Sequence, residues 1–166
     1  MSFLIDGFNL IYKFPEYEAL MYENDLVGAR EGLLSLLKKY EKITGKHIRI
    51  VFDGKKERSI EIKNEKCGTI DVYYSLEYSA DHLIKQFIKK DINPRSKTVI
   101  TSDKDIIVYV TRHRARVKTS EEFADEVQKT IREWEAARVP EKEVDPSLSS
   151  EEIAYWEKLF TRRKKS

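Results

Sequence analysis

Two observations predict an α/β fold with a mostly parallel sheet covered by helices on both faces. Short apolar runs rich in β-branched and aromatic residues alternate along the chain with longer segments of helical periodicity. An aspartate follows three of those runs, in Ile5-Asp6-Gly7-Phe8-Asn9, Phe52-Asp53-Gly54 and Thr101-Ser102-Asp103-Lys104-Asp105, and a fourth acid, in Ser79-Ala80-Asp81, opens a helical stretch. Parallel strands joined by right-handed crossovers would bring these acids to one edge of the sheet, where open α/β folds hold their sites.

Ser2 to Ile5 reads as a buried strand that stops at Asp-Gly. An irregular aromatic stretch with Pro15 follows. From about Asp25 to Ile43, Leu26, Ala29, Leu33, Leu37 and Tyr40 recur at helical spacing, and Gly45 is a stop signal. Ile48 to Phe52 is continuous enough in apolar residues for a strand buried on both faces, whereas Lys55 to Lys66 reads as an exposed loop or ragged hairpin. Ile70 to Tyr74 is a third strand. Ser79 then caps a helix whose apolar face is Leu83, Ile84, Phe87 and Ile88, ended by Asn93-Pro94. Thr98 to Thr101 is a fourth strand, with Ser102 as cap of a short helix from Asp103 to Val110, and Ala115 to Lys118 is an edge strand. Thr119-x-x-Glu122 is a capping box for a long helix through Phe123, Val127, Ile131 and Trp134. Pro140 to Ser150 is a linker, and a final helix carries Ile153, Trp156, Leu159 and Phe160 before the basic run Arg162 to Lys165.

The 166 residues suffice for one sizeable core, so a domain over 1–138 with a linker and basic helix over 139–166 is expected. Charged residues make up 36% of the chain but leave a net charge of only +2, so affinity for a polyanion must come from a local patch. The single cysteine, Cys67, excludes an internal disulfide, and no Cys/His metal spacing occurs. No signal sequence or membrane-length apolar stretch is legible, which points to a cytoplasmic protein with no membrane partner; separately, a monomer is expected.

Any one of the acids has an ordinary explanation, because Asp-Gly makes turns and an Asp in a first helical turn suits the dipole. Together at successive strand ends they point to function. Clustered carboxylates repel unless a cation lies among them, and oxygen-only ligands suit Mg²⁺ or Mn²⁺ rather than zinc or copper. Such an ion lowers the pKa of water and stabilises charge on a phosphodiester, so no nucleophilic side chain is needed.

In Phe3-Leu4-Ile5-Asp6-Gly7-Phe8-Asn9-Leu10-Ile11, Val51-Phe52-Asp53, Ser79-Ala80-Asp81-His82-Leu83-Ile84 and Val99-Ile100-Thr101-Ser102-Asp103, the chain resembles the YacP-like branch of the NYN group in the PIN-like nuclease superfamily. The likeness covers roughly the first three quarters of the chain, and the opening motif is its most specific part. It implies a three-layer PIN-like fold and a metal-dependent endoribonuclease cutting single-stranded RNA, with YacP-like members acting on mRNA at the ribosome. On this resemblance Asp6, Asp81 and Asp103 match the acidic ligands, and Asn9 matches the amide that orients substrate or water. Asp53 stands either as a ligand or as a carboxylate supporting one. Asp105 resembles the additional acid of some PIN domains or serves the helix dipole, and Ser102 is either a cap or a phosphate contact.

Lys55, Lys56 and Arg58 after Asp53, and Arg112, Arg114, Arg116 and Lys118 after the Asp103 helix, are candidate RNA-binding residues. His113 is a remote candidate for a general acid, and Tyr12, Phe14, Tyr17 or Tyr22 for base stacking. A phosphoacceptor receiver domain would also place an acid, acceptor, hydroxyl and lysine in the order Asp6, Asp53, Ser102, Lys118. Its two helices and extra strand before the acceptor are missing. A haloacid-dehalogenase-type phosphatase would need a second Asp where Phe8 stands. A deoxyribonuclease shares the site chemistry, and the serious alternative is a catalytically silent RNA- or ribosome-binding module.

Overall fold

The computed structural model describes residues 2–54, 64–76, 78–138 and 157–158. Within them the chain runs β1 (Ser2–Asp6), α1 (Gly7–Ile11), α2 (Pro15–Tyr22), α3 (Leu26–Thr44), β2 (His47–Asp53), β3 (Asn64–Cys67), β4 (Ile70–Ser75), α4 (Ala80–Lys90), β5 (Lys97–Ile100), α5 (Lys104–Arg112), β6 (Arg116–Lys118) and α6 (Ser120–Ala136). The strands form one sheet in the order β3-β4-β2-β1-β5-β6. Only β3 is antiparallel to its neighbour.

Side chains alternate across β1 and divide the core into two layers. Phe3 and Ile5 join Leu33, Leu37, Tyr40, Phe123 and Val127 under α3 and α6. Leu4 faces the other way, into Val51, Ile84, Ile88, Val99, Ile106 and Val110 under α4 and α5. The result is the expected three-layer α/β arrangement. On the first face Phe123 packs on Phe3 with centroids 5.0 Å apart and meets Tyr40 edge-on at 5.5 Å. Rings buried this way contribute about 1.5–3 kcal/mol each.

Local chemistry sets the helix boundaries. Asp25 caps α3 by accepting the Gly28 N–H at 2.9 Å, and Gly45 ends the helix at φ 72°. The capping box of α6 is complete, with Thr119 accepting from Glu122 N–H and Glu122 reaching back to Thr119 N–H. The aromatic stretch around Pro15 is not irregular: it folds as α1 and α2, with Pro15 in the first turn of α2, where its missing N–H costs nothing. Asp103, not Ser102, caps α5, accepting the Asp105 N–H at 2.9 Å. Helix α4 stops at Lys90, before Asn93-Pro94, and Pro94 opens a short 3-10 turn instead. Residues 64–66, read as part of an exposed loop or ragged hairpin, belong to the edge strand β3, which forms a hairpin with β4. The expected linker and final helix lie outside the described residues, except that 157–158 are helical and Glu157 pairs with Arg138 at 3.1 Å.

Among the described residues no helix is long and apolar enough to cross a membrane.

Candidate active site

Because β1 is paired with β2 on one side and β5 on the other, while chain order runs outward in both directions, the sheet switches direction between β1 and β5. At such a switch the connections leaving the strands diverge and open a crevice at the carboxyl edge. Asp6 ends β1, Asp53 ends β2, and Thr101-Ser102-Asp103 follows β5 at that edge. Asp81 joins them from the first turn of α4, which Ser79 caps by accepting the His82 N–H at 3.1 Å.

Asp6, Asp53, Asp81, Asp103 and Asn9 line one cleft of about 250 Å³, together with Phe8, Tyr12, Ser79, Ala80 and Ile106. This is slightly below the roughly 300–1,000 Å³ of small-molecule pockets. Gly7 sets the depth of Asp6 by letting α1 turn directly over β2. A Cβ there would lie 2.5 Å from the Phe52 ring and 2.9 Å from the Val51 carbonyl oxygen.

A hydrogen-bonded frame holds the far wall. Thr101, fully buried, donates its hydroxyl to Asp6 Oδ2 at 3.0 Å and accepts the Asp103 N–H at 3.1 Å, linking two of the acids through one side chain. Asn9 Oδ1 accepts from Ser102 N–H at 2.9 Å and from the buried Ser120 hydroxyl at 2.6 Å. With its carbonyl end held by two donors, the Asn9 amide NH₂ is the end left for the cleft. Ser102 Oγ accepts the Ser120 N–H at 3.0 Å and donates to Glu121 Oε2 at 2.5 Å. Lys13 Nζ closes the frame 2.7 Å from Glu121 Oε1. Bonds from Lys13 and then Ser102 pull the Glu121 pKa from 4.5 down to about 2.

Lys85 stands behind Asp81, one turn further along α4. Its Nζ is 3.2 Å from Asp81 Oδ1 and 3.7 Å from Asp105 Oδ2, and it lies over the Tyr109 ring 5.4 Å from the centroid. Asp81 Oδ1 is buried without a directional hydrogen bond, so the attraction to Lys85 is mainly a charge contact. Burial works against the Lys85 ammonium, but Asp81 and Asp105 outweigh it and raise its pKa.

The predicted residues therefore divide. Asp6, Asp53, Asp81, Asp103 and Asn9 are brought together, whereas Asp105 is exposed on α5, does not line the cleft and faces Lys85. Ser102 makes neither the cap nor an open phosphate contact, because its hydroxyl is taken by Glu121 and Ser120. Lys55, Lys56 and Arg58 lie outside the described residues. Arg112, Arg114 and Arg116 are exposed but far from the acids: α5 runs back along the sheet, nine residues or about 14 Å, to the amino edge. Arg116 pairs there with Thr98 near the start of β5. Lys118 returns to the carboxyl edge, where its Nζ is 2.7 Å from Glu126 Oε1. His113 accompanies the distal group, its Nδ1 2.9 Å from the Tyr109 carbonyl oxygen. Phe14 is fully buried and Tyr17 packs against it, while Tyr12 stays in the cleft wall.

Sequence reasoning missed Thr101, Ser120, Glu121 and Lys85. Lys85 carried a signal in its i, i+4 spacing from Asp81, and Ser120 and Glu121 sat inside the capping box.

An oxygen-only set of carboxylates around one cleft fits a hard divalent cation in donor chemistry. Among the described residues no three His, Cys, Asp or Glu side chains are gathered tightly enough to hold an ion, so closing on one requires these side chains to rotate inward.

The family model of the YacP-like NYN domain matches residues 3–161. No curated protein matches the chain. Two crystal structures of Rae1 (YacP) from Bacillus subtilis, one wild type and one carrying a tryptophan-to-leucine substitution, are similar at 24% identity. The wild type gives a TM-score of 0.73 over 99% of this chain and 93% of that one, and the mutant 0.72 over 97% and 92%. At that identity the likeness establishes a shared fold. The family match adds a nuclease-like, RNA-related function.

Proposed function

From the premise that the chain belongs to the YacP-like NYN domain family, we propose that it is a divalent-metal-dependent endoribonuclease that hydrolyses single-stranded RNA, with mRNA on the ribosome as its substrate in the cytoplasm. The observation that carries this reading is the convergence of Asp6, Asp53, Asp81, Asp103 and Asn9 on one cleft at the switch point. Like charges collected at one place are unfavourable for folding and for binding RNA alone, so they make sense as the holders of a cation.

Asp6, Asp81 and Asp103 would hold Mg²⁺ or Mn²⁺, with Asp53 supporting them. When bound, the ion supplies an activated water and offsets charge on the scissile phosphate. Thr101 keeps Asp6 in one orientation through the 3.0 Å bond. Asn9 presents its amide NH₂ to a phosphate oxygen or to water, its rotation fixed by Ser102 and Ser120. Phe8 and Ile106 form an apolar floor that limits water around the reacting atoms.

Purified protein mixed with single-stranded RNA and Mn²⁺ should cut it, chelator should stop the cutting, and Asp81→Asn should lose it while unfolding like wild type. Unchanged cleavage by Asp81→Asn would remove the acid cleft from the reaction. The second reading, a silent RNA- or ribosome-binding module, draws on one observation: no three of the described acids are gathered for a cation. RNA or ribosome binding that is insensitive to Mn²⁺, without cleavage, is its signature.

A further inference from the structure

Arg112, Arg114 and Arg116, expected beside the acids, lie at the opposite edge of the sheet, and among the described residues the cation paired with Asp81 from α4 is Lys85. It is not a surface partner of one acid. Its Nζ lies between carboxylates from two helices, 3.2 Å from Asp81 on α4 and 3.7 Å from Asp105 on α5, with the Tyr109 ring beneath it. Its side chain is only 22% exposed. Asp81 Oδ1, buried and without a directional hydrogen bond, is compensated by this ammonium. An anionic oxygen withdrawn from water needs a positive neighbour, and one monovalent group here serves two acids.

We propose that Lys85 is a built-in counter-ion of the acid cleft: it holds Asp81 in the absence of a divalent cation, gives it up when the cation binds, and so sets the cation concentration at which the site fills. This rests on the reading of Asp81 as a metal ligand. An oxygen coordinated to an ion cannot keep the same electrostatic contact with an ammonium, because the two positive charges then repel across it. Lys85 and the metal therefore compete for Asp81, and binding them is coupled with opposite sign. Lys85 acts through Asp81 and is a positioning residue.

The test is Mn²⁺ binding to the whole chain by calorimetry, beside thermal unfolding in chelator and across a Mn²⁺ series. Lys85→Gln should tighten Mn²⁺ binding by about two- to fivefold, the scale of one partly screened ion pair. It should also lower the unfolding midpoint in chelator, where repulsion between Asp81 and Asp105 is no longer offset. Lys85→Arg, which keeps the charge, should stay near wild type in both. Unchanged or weaker Mn²⁺ binding by Lys85→Gln overturns the proposal, as does an arginine variant that behaves like the glutamine one. If wild type binds no Mn²⁺ or Mg²⁺, the metal-dependent reading fails with it. If wild type binds and cuts RNA while Lys85→Gln is indistinguishable, only the role of Lys85 fails.

Discussion

Thr101→Val probes the joint between fold and site with the smallest change of shape. Valine keeps the branched outline, so no cavity opens at this fully buried position. Two interactions go with the hydroxyl: the 3.0 Å bond to Asp6 Oδ2 and the 3.1 Å bond from Asp103 N–H. A hydrogen bond to a charged group contributes about 1.5–3 kcal/mol, and an amide left without a partner costs about 1–3 kcal/mol when it stays dry. Both partners are partly wetted by the cleft, so the lower ends apply and the sum is about 2–3 kcal/mol. In a chain of this size that lowers the thermal midpoint by roughly 5–10 °C. Urea unfolding at constant slope reads the free energy directly. Thr101→Ser separates the causes, since it keeps the hydroxyl and loses one methyl group, worth about 0.8 kcal/mol. The reasoning is refuted if valine costs no more than serine. Cleavage should also fall with valine and persist with serine, because Asp6 loses its fixed orientation only in the first.

Three further outcomes are expected. Gly7→Ala should destabilise by about 1–3 kcal/mol in denaturant unfolding, because its Cβ meets the Phe52 ring at 2.5 Å and that ring is wedged against Phe8; a neutral effect would mean that α1 does not press on β2. Glu121, whose pKa falls from 4.5 to about 2 on folding, contributes stability above pH 4.5 that is lost as the pH drops towards 2. The difference between wild type and Glu121→Gln, under about 1 kcal/mol for so exposed a pair, should shrink across that window, and a gap as large at pH 2 as at neutral pH would contradict the Lys13–Glu121–Ser102 frame. Replacing Arg112, Arg114 and Arg116 by Gln should weaken RNA binding and reduce the salt slope by about 2, given roughly 0.7 per phosphate on single strands. The cut positions should not move, because these arginines are at the amino edge; shifted cuts would place them at the acids after all.

The fold was legible because its signals are local and redundant. Strand, acid and helix recur in a set order, and the caps at Ser79 and Thr119 sit where the sequence puts them. The acids meet because parallel strands carry their carboxyl ends to one edge, a consequence of topology that alternation already implied. What escaped the sequence is what depends on direction and on competition between neighbours. Arg112 to Arg116 follow Asp103 closely in sequence, yet α5 carries them down the sheet, so short separation along the chain became distance in space. Ser102 and Asp103 were both good caps, and Glu121, from another helix, took the serine. Short helices such as α1 and α2 are held by packing, with Phe14 fully buried between them, and aromatic composition alone does not announce them. Lys85 lies one turn from Asp81 in sequence, but its second carboxylate, Asp105, comes from α5 and is set by tertiary packing.

The central claim is that the acid cleft cuts RNA. It is tested most directly by mapping new RNA ends in a translating-ribosome reaction with wild type and with Asp6→Asn, in Mn²⁺ or Mg²⁺ and in chelator. Discrete cuts that need the metal and vanish in Asp6→Asn are the predicted result. The same cuts in both proteins, or none while both bind ribosomes equally, would contradict it.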